Sequence, residues 1–200
     1  HLIGAANGAS VARGSSWLTS RMGEQVLPKG LTVTEQPLRV RGPASRPFDA
    51  EGLAARDQAF VEDGVLKSWV LDLASARQLG LQSTGNAARG PGGAPSPSTS
   101  NLHLTPGEAG FDELMARMGT GLLVTSLIGA SINGNTGDYS RGASGFWVEG
   151  GEIAYPVNEI TIAGNLNDML ASIVPANDAD PNRGAVVPSL LVEGLTVAGG

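Results

Sequence analysis

The chain has 200 residues, 41% of them apolar and only 16% charged, which gives enough material for a sizeable core and too little charge for a disordered, solvating chain. Its 29 glycines and 12 prolines favour turns and short strands over long helices, and a net charge of −6 with scattered Lys and Arg leaves no basic stripe for a nucleic-acid duplex. The absence of cysteine excludes disulfides, thiolate-bound zinc and a cysteine nucleophile, and no run approaches the roughly 18 apolar residues of a membrane-spanning helix.

In chain order, His1-Leu-Ile-Gly-Ala-Ala-Asn-Gly reads as the end of a helix and Gly30-Leu-Thr-Val-Thr as a strand. Pro37 to Phe48 is rich in Pro and Arg; further pattern follows it at once, so it reads as an ordered surface loop inside one domain spanning 1–200. Ala59 to Leu71 places apolar residues on both sides of Asp63-Gly64, a favoured type I′ pair, and predicts strand, tight turn, strand. Leu73 to Gly80 predicts a short helix stopped by glycine, and Ser83 to Pro97, crowded with Ser, Gly and Pro, a long exposed loop. Phe111, Leu114, Met115 and Met118 fall at helical spacing, with Gly119 as the end.

Leu122 to Ile128 reads as a buried strand. Phe146-Trp-Val, Glu149-Gly-Gly-Glu and Ile153 to Val157 predict a second hairpin. A last helix is expected over Asn167 to Ile173 with Asn165 as cap, and a last strand over Ser189 to Val197. Phe60-Val-Glu-Asp-Gly, Trp147-Val-Glu-Gly-Gly and, more weakly, Leu191-Val-Glu-Gly share one wording; without a fixed period it reflects shared turn chemistry rather than a repeat. The fold class is therefore α+β, dominated by antiparallel strands, with helices near 72–79, 110–118 and 166–173.

Several of these segments, taken in order, resemble one family. Phe48-Asp-Ala-Glu-Gly, Glu62-Asp-Gly-Val-Leu, Ala76-Arg-Gln-Leu-Gly-Leu-Gln-Ser-Thr-Gly-Asn, Met118-Gly-Thr-Gly-Leu, the stretch Thr136 to Leu166 and Val192-Glu-Gly-Leu-Thr-Val-Ala-Gly are similar to the C-terminal half of the TldD/PmbA family, metalloprotease-related proteins once called modulators of DNA gyrase. The PmbA (TldE) branch is the nearer one. The resemblance implies that an N-terminal half of comparable size belongs upstream of His1, a residue at which few chains start. In the zinc-bearing TldD branch a helical His-Glu-x-x-x-His supplies two ligands and a general base, and a cysteine completes the site. The corresponding stretch here is His1-Leu2-Ile3-Gly4-Ala5-Ala6, in which Leu2 replaces the base and Ala6 the second histidine. No metal and no other cofactor is expected.

His103 alternates with Leu102 and Leu104 and reads as a solvent-facing histidine. Among the acids Asp49, Glu51, Asp138, Glu149, Glu152 and Glu159, the hairpin pair Glu149 and Glu152 reads as solvated turn residues. Thr136-Gly-Asp-Tyr-Ser-Arg141 concentrates an anion, a phenol and a guanidinium, suited either to gripping a peptide through Asp138, Tyr139 and Arg141 or to a structural Asp–Arg pair. Ser83, Thr84 and Asn86 match a loop that borders the peptide cleft in zinc-bearing relatives, although a polar turn explains them as well. Gly142-Ala-Ser-Gly145 lacks the strand-to-helix context of a nucleophile elbow, and Gly85 to Gly93 lacks the Lys of a phosphate loop.

The resemblance implies a cytoplasmic, non-catalytic PmbA/TldE-like subunit that dimerises with a TldD-like zinc peptidase and handles peptides, with no nucleic acid or membrane as partner. The alternatives are an active peptidase with an unrecognised site and a free-standing homodimeric peptide-binding protein.

Overall fold

The computed structural model describes residues 1–199, apart from the side chain of Ala130. In chain order the elements are helices α1 (Leu2–Ala5) and α2 (Gly8–Ala12), strands β1 (Val33–Glu35), β2 (Gln58–Glu62) and β3 (Val65–Leu66), helix α3 (Leu73–Leu79), and strands β4 (Ala87–Ala88), β5 (Ser96–Pro97) and β6 (Leu102–Leu104). Helix α4 (Phe111–Met118), strands β7 (Gly121–Ile132), β8 (Asp138–Glu149) and β9 (Glu152–Asn165), helix α5 (Leu166–Ala171), and strands β10 (Val174–Pro175), β11 (Ala185–Val186), β12 (Leu190–Leu191) and β13 (Thr196–Ala198) complete the chain. The class is α+β with mostly antiparallel pairing, as the composition predicts.

The chain divides into two compact units, one made of His1–Thr105 with Asp180–Val187, the other of Pro106–Ala179 with Pro188–Gly200. The first is built on a five-stranded sheet of order β11-β6-β1-β2-β3, antiparallel except for β11 with β6. The Asp63-Gly64 turn takes the type I′ geometry expected of it, with φ of +49° and +76°. Leu18, Leu27, Phe60, Val61, Leu66, Val70 and Leu71 are fully or almost fully buried. Helix α3 starts on a capping box between Asp72 and Ser75 and stops at Gly80 in the left-handed region, as its composition predicts.

The second unit centres on a four-stranded sheet of order β13-β9-β8-β7. Gly150 and Gly151, both at positive φ, make the expected tight turn between β8 and β9. Leu114 packs with Ala176 and Leu191, and Met118, Ala109 and Val174 close around them, so the apolar stripe of α4 faces inward as its spacing requires. Asn165 caps α5 by accepting from the Asn167 amide.

Three expectations are corrected. The apolar run from Leu122 to Ile128 is a strand but an edge strand, and Val124, Leu127 and Ile128 are exposed. The stretch expected over Ser189 to Val197 is two strands in different sheets, β12 pairing with β10 and β13 with β9, because Gly194 turns the chain between them; the Leu191-Val-Glu-Gly echo is therefore no hairpin. The loop from Ser83 to Pro97 is exposed over Arg89 to Ala94 and at Ser96, whereas Thr84 to Ala87 are buried and Ala87–Ala88 pairs with Ser96–Pro97.

Candidate functional site

The stretch His1 to Ala6, expected to be a degenerate metal motif, covers α1 and its two flanking residues. Leu2 is buried and Ala6, just past the helix, has no exposed surface; its carbonyl accepts from the Val70 amide. Neither side chain has a lone pair to offer a cation or a proton, and Ala6 sits in a packed core rather than at an opening. Among the described residues no group of three or more His, Cys, Asp or Glu is arranged to hold a metal. The donor set at this position does not fit zinc.

The loop of Ser83, Thr84 and Asn86 is tied into the first unit by its polar side chains. Thr84 Oγ1 accepts from the Leu71 amide and donates to the Leu71 carbonyl, fastening the loop to the entry of α3. Asn86 is 1% exposed and donates from Nδ2 to both oxygens of Glu35, at 2.9 and 2.7 Å. Gln58 Nε2 donates to Glu35 Oε2 and to Asn86 Oδ1, and the Ser100 amide donates to Glu35 Oε1. Arg46 brings its guanidinium within 3.9 Å of the same carboxylate while donating to the carbonyls of Ala87 and Ser98. Asp49, also buried, accepts from the amides of Glu51, Leu53 and Ala87. Thr84 and Asn86 are thus buried and engaged within the fold.

Ser83 alone of the three reaches an opening. Although its hydroxyl donates to Leu71, the residue lines an open groove of about 480 Å³ with Leu53, Leu73, Leu81 and Arg77. Sequence reasoning missed Glu35, Arg46 and, as a buried anchor, Asp49. One signal for Glu35 was present: Leu31, Val33 and Glu35 alternate, and the residues sharing Glu35's face are buried.

In the second unit the Thr136 to Arg141 cluster is a clasp. Asp138 is exposed; its carboxylate accepts from the Thr136 hydroxyl at 2.6 Å and from Asn165 Nδ2 at 3.0 Å. Asn165 also donates to the Thr136 carbonyl while capping α5, so one small network joins the turn before β8, the end of β9 and the start of α5. Arg141 donates from Nε to the Gly129 carbonyl on β7, so the alternative of an Asp138–Arg141 pair is not realised. Tyr139 is buried, at 5% exposure.

The hydrogen bonds from Thr136 and Asn165 hold the Asp138 carboxyl below the usual range. With the folded value depressed, its stabilising contribution is complete above the ordinary Asp range and is lost as pH falls through the folded value. A carbon-detected NMR titration is expected to place the Asp138 midpoint below that of an unperturbed Asp. Asn165→Ala is expected to move it upward; an unshifted midpoint in the parent would mean that the clasp does not form in solution.

Residues 1–199 match the family described as PmbA/TldA metallopeptidase C-terminal domain. The chain belongs to this family. It is 46% identical over 200 residues to the metalloprotease PmbA of Escherichia coli O157:H7, covering 100% of this chain and 42% of that protein. A PmbA homologue from Haemophilus influenzae is 42% identical over 201 residues, and a TldD homologue from the same organism 27% identical over 161 residues, 80% of this chain. The chain thus spans under half the length of the curated relatives it matches, and the PmbA side of the resemblance is the stronger one.

Among solved structures, a Bacteroides thetaiotaomicron protein bearing the name modulator of DNA gyrase superposes with a TM-score of 0.88 at 32% identity, over 99% of this chain and 43% of that one. TldE from Thermococcus kodakarensis shares the fold, with a TM-score of 0.85 at 24% identity over 100% of this chain and 46% of that one. No helix among the described residues is long and apolar enough to cross a membrane.

Proposed function

We propose that this chain is the C-terminal domain of a non-catalytic, PmbA/TldE-like subunit that assembles with a TldD-like zinc peptidase, in the cytoplasm, for the maturation or degradation of peptides. The observation that carries this reading is the α1 position, where Leu2 and Ala6 are packed into the core at the positions at which the zinc-bearing branch needs its base and a ligand. The lack of any cysteine removes the remaining ligand. Its contribution is then architectural, and Asp138, Arg141 and the Ser83 groove are the parts of the candidate set with surface open to a peptide or to a partner. The metalloprotease name of the relatives supports a second reading, a peptidase whose site lies elsewhere in the longer protein.

One experiment separates them. The purified protein is expected to hold no stoichiometric zinc after dialysis against a weak chelator and to cleave peptides at background until a TldD-like subunit is added. About one tightly held Zn²⁺ per chain, or cleavage by the protein alone, would overturn the subunit reading.

A further inference from the structure

The chain holds two Asn-Gly pairs, Asn7-Gly8 and Asn133-Gly134. Such a pair carries its own reaction, because the glycine amide nitrogen has no side chain to shield it from the neighbouring side-chain carbonyl carbon, and asparagine is among the thermolabile residues. Whether that reaction runs depends on the freedom of the nucleophile and of the leaving group. The fold treats the two pairs in opposite ways.

Their side-chain carbonyls are alike. Asn7 Oδ1 accepts from the amides of Ala9 and Ser10 at 3.0 and 3.4 Å, and Asn133 Oδ1 accepts from those of Asn135 and Thr136, also at 3.0 and 3.4 Å. In both, backbone N–H groups face the oxygen that gains negative charge when its carbon is attacked, an arrangement that stabilises a tetrahedral intermediate. The other reacting atoms differ. The Gly8 amide donates to the Val70 carbonyl at 2.9 Å and Asn7 Nδ2 to the Pro97 carbonyl at 3.1 Å, so nucleophile and leaving group are both tied. In the turn between β7 and β8, Asn133 and Gly134 are exposed, and neither the Gly134 amide nor Asn133 Nδ2 has a hydrogen-bond partner among the described residues.

We propose that Asn133 is a site of spontaneous, imide-mediated deamidation, with water as the only co-reactant. The Gly134 nitrogen gives up its proton to solvent and bonds to Asn133 Cγ; the Cγ–Nδ2 bond breaks, and Nδ2 leaves as ammonia with a proton taken from water. Water then adds to one of the two carbonyls of the five-membered imide and reopens it to aspartate or isoaspartate, so that one water is consumed and one ammonia released. The isoaspartyl product routes the backbone through Cβ. That adds a methylene to a turn closed by the Asn133 amide donating to the Asp138 carbonyl and by the Gly137 amide donating to the Asn133 carbonyl. Either product also places a new carboxylate in the loop that carries the exposed Asp138, on a chain whose net charge is already −6. Ageing of the protein therefore loosens the turn beside the Asp138 clasp. This inference goes beyond the proposed subunit role and does not depend on it.

The test is peptide mapping by mass spectrometry after incubation of the purified protein in mildly alkaline buffer, where the amide loses its proton more readily. The mass gain of NH₂-to-OH exchange is expected at Asn133 at least ~10-fold faster than at Asn7, whose tied atoms must first be released by local opening. The product is expected to be a mixture of aspartyl and isoaspartyl peptides. In denaturant, where both pairs are free, the two rates are expected to converge. Equal rates at residues 7 and 133 in the folded protein, or an Asn133 that persists there while the denatured chain converts, would overturn the proposal. So would a purely aspartyl product, the mark of direct hydrolysis without the imide. Asn133→Gln, whose carbonyl lies one methylene further from the Gly134 nitrogen, is expected to suppress the mass gain in its peptide; conversion at an undiminished rate would place the reaction at Asn135 and overturn the assignment.

Discussion

Gly64→Val is expected to destabilise the protein by about 3–5 kcal/mol, larger than the cost of a typical turn substitution. Two effects add. Gly64 sits at φ +76°, a conformation that costs a β-branched residue about 1–3 kcal/mol. Any Cβ there would also collide with the carbonyl oxygens of Leu27 and Pro28 and with the Gln25 amide, and two of those three atoms are backbone that cannot rotate away. The same residue donates to the Leu31 carbonyl and accepts from the amides of Val26 and Leu27, so displacement of the turn breaks the contacts that hold segment 26–31. Gly30 is the internal control: its φ is +84°, but a Cβ would meet nothing within 4 Å, so Gly30→Ala isolates the conformational term at about 1–2 kcal/mol. Chemical denaturation of both variants separates strain from collision. Equal losses would mean that the collision is relieved by a shift of the 26–31 segment.

The contrast between these glycines also shows which kinds of information a sequence carries. Turn chemistry is local, so Asp63-Gly64, Gly150-Gly151, the Asp72-to-Gly80 helix and the Asn165 cap were all legible from neighbouring residues. The exposure of Leu122 to Ile128 was not, because an apolar run fixes a strand's propensity while its burial depends on which strands flank it, and β7 lies at an edge. Nor was the division of the final stretch between two sheets. At the candidate site, family wording picks out Ser83, Thr84 and Asn86 as cleft candidates, and of the two readings open for them the polar turn describes the surroundings of Thr84 and Asn86, for a topological reason. Asn86 meets Glu35 across 51 positions of chain, and nothing near either residue announces the other. The composition and the α1 stretch gave the exclusions, no cysteine and no second histidine within His1 to Ala6, while the positive functional reading came from the family resemblance rather than from spacing.

Glu35→Ala is the second change expected to have a large effect, again about 3–5 kcal/mol. The cost arises from what the substitution leaves behind. Glu35 is 1% exposed, and its oxygens receive donors from Asn86, Gln58 and the Ser100 amide beside the Arg46 guanidinium. Truncation takes the shared acceptor from Asn86, Gln58 and Ser100 together; Asn86 and Gln58 keep weaker carbonyl acceptors, but the Ser100 amide, being backbone, cannot turn toward another one. Glu35→Gln provides the graded comparison. Its remaining carbonyl still serves Ser100, and the amides of Asn86 and Gln58 can flip to face the new NH₂, so a loss of only about 1–2 kcal/mol is expected. A double-mutant cycle between Glu35→Ala and Asn86→Ala is expected to show coupling above ~1 kcal/mol, since the second truncation removes a group whose two shortest hydrogen bonds the first had already broken. Additive losses would mean that water reaches the carboxylate and satisfies each donor separately. Strong coupling would identify this carboxylate as the anchor of the 84–88 loop, and through it of Ser83 and the groove beside α3, so that a variant unable to hold Asn86 would also lose the one part of the predicted cleft loop that faces solvent.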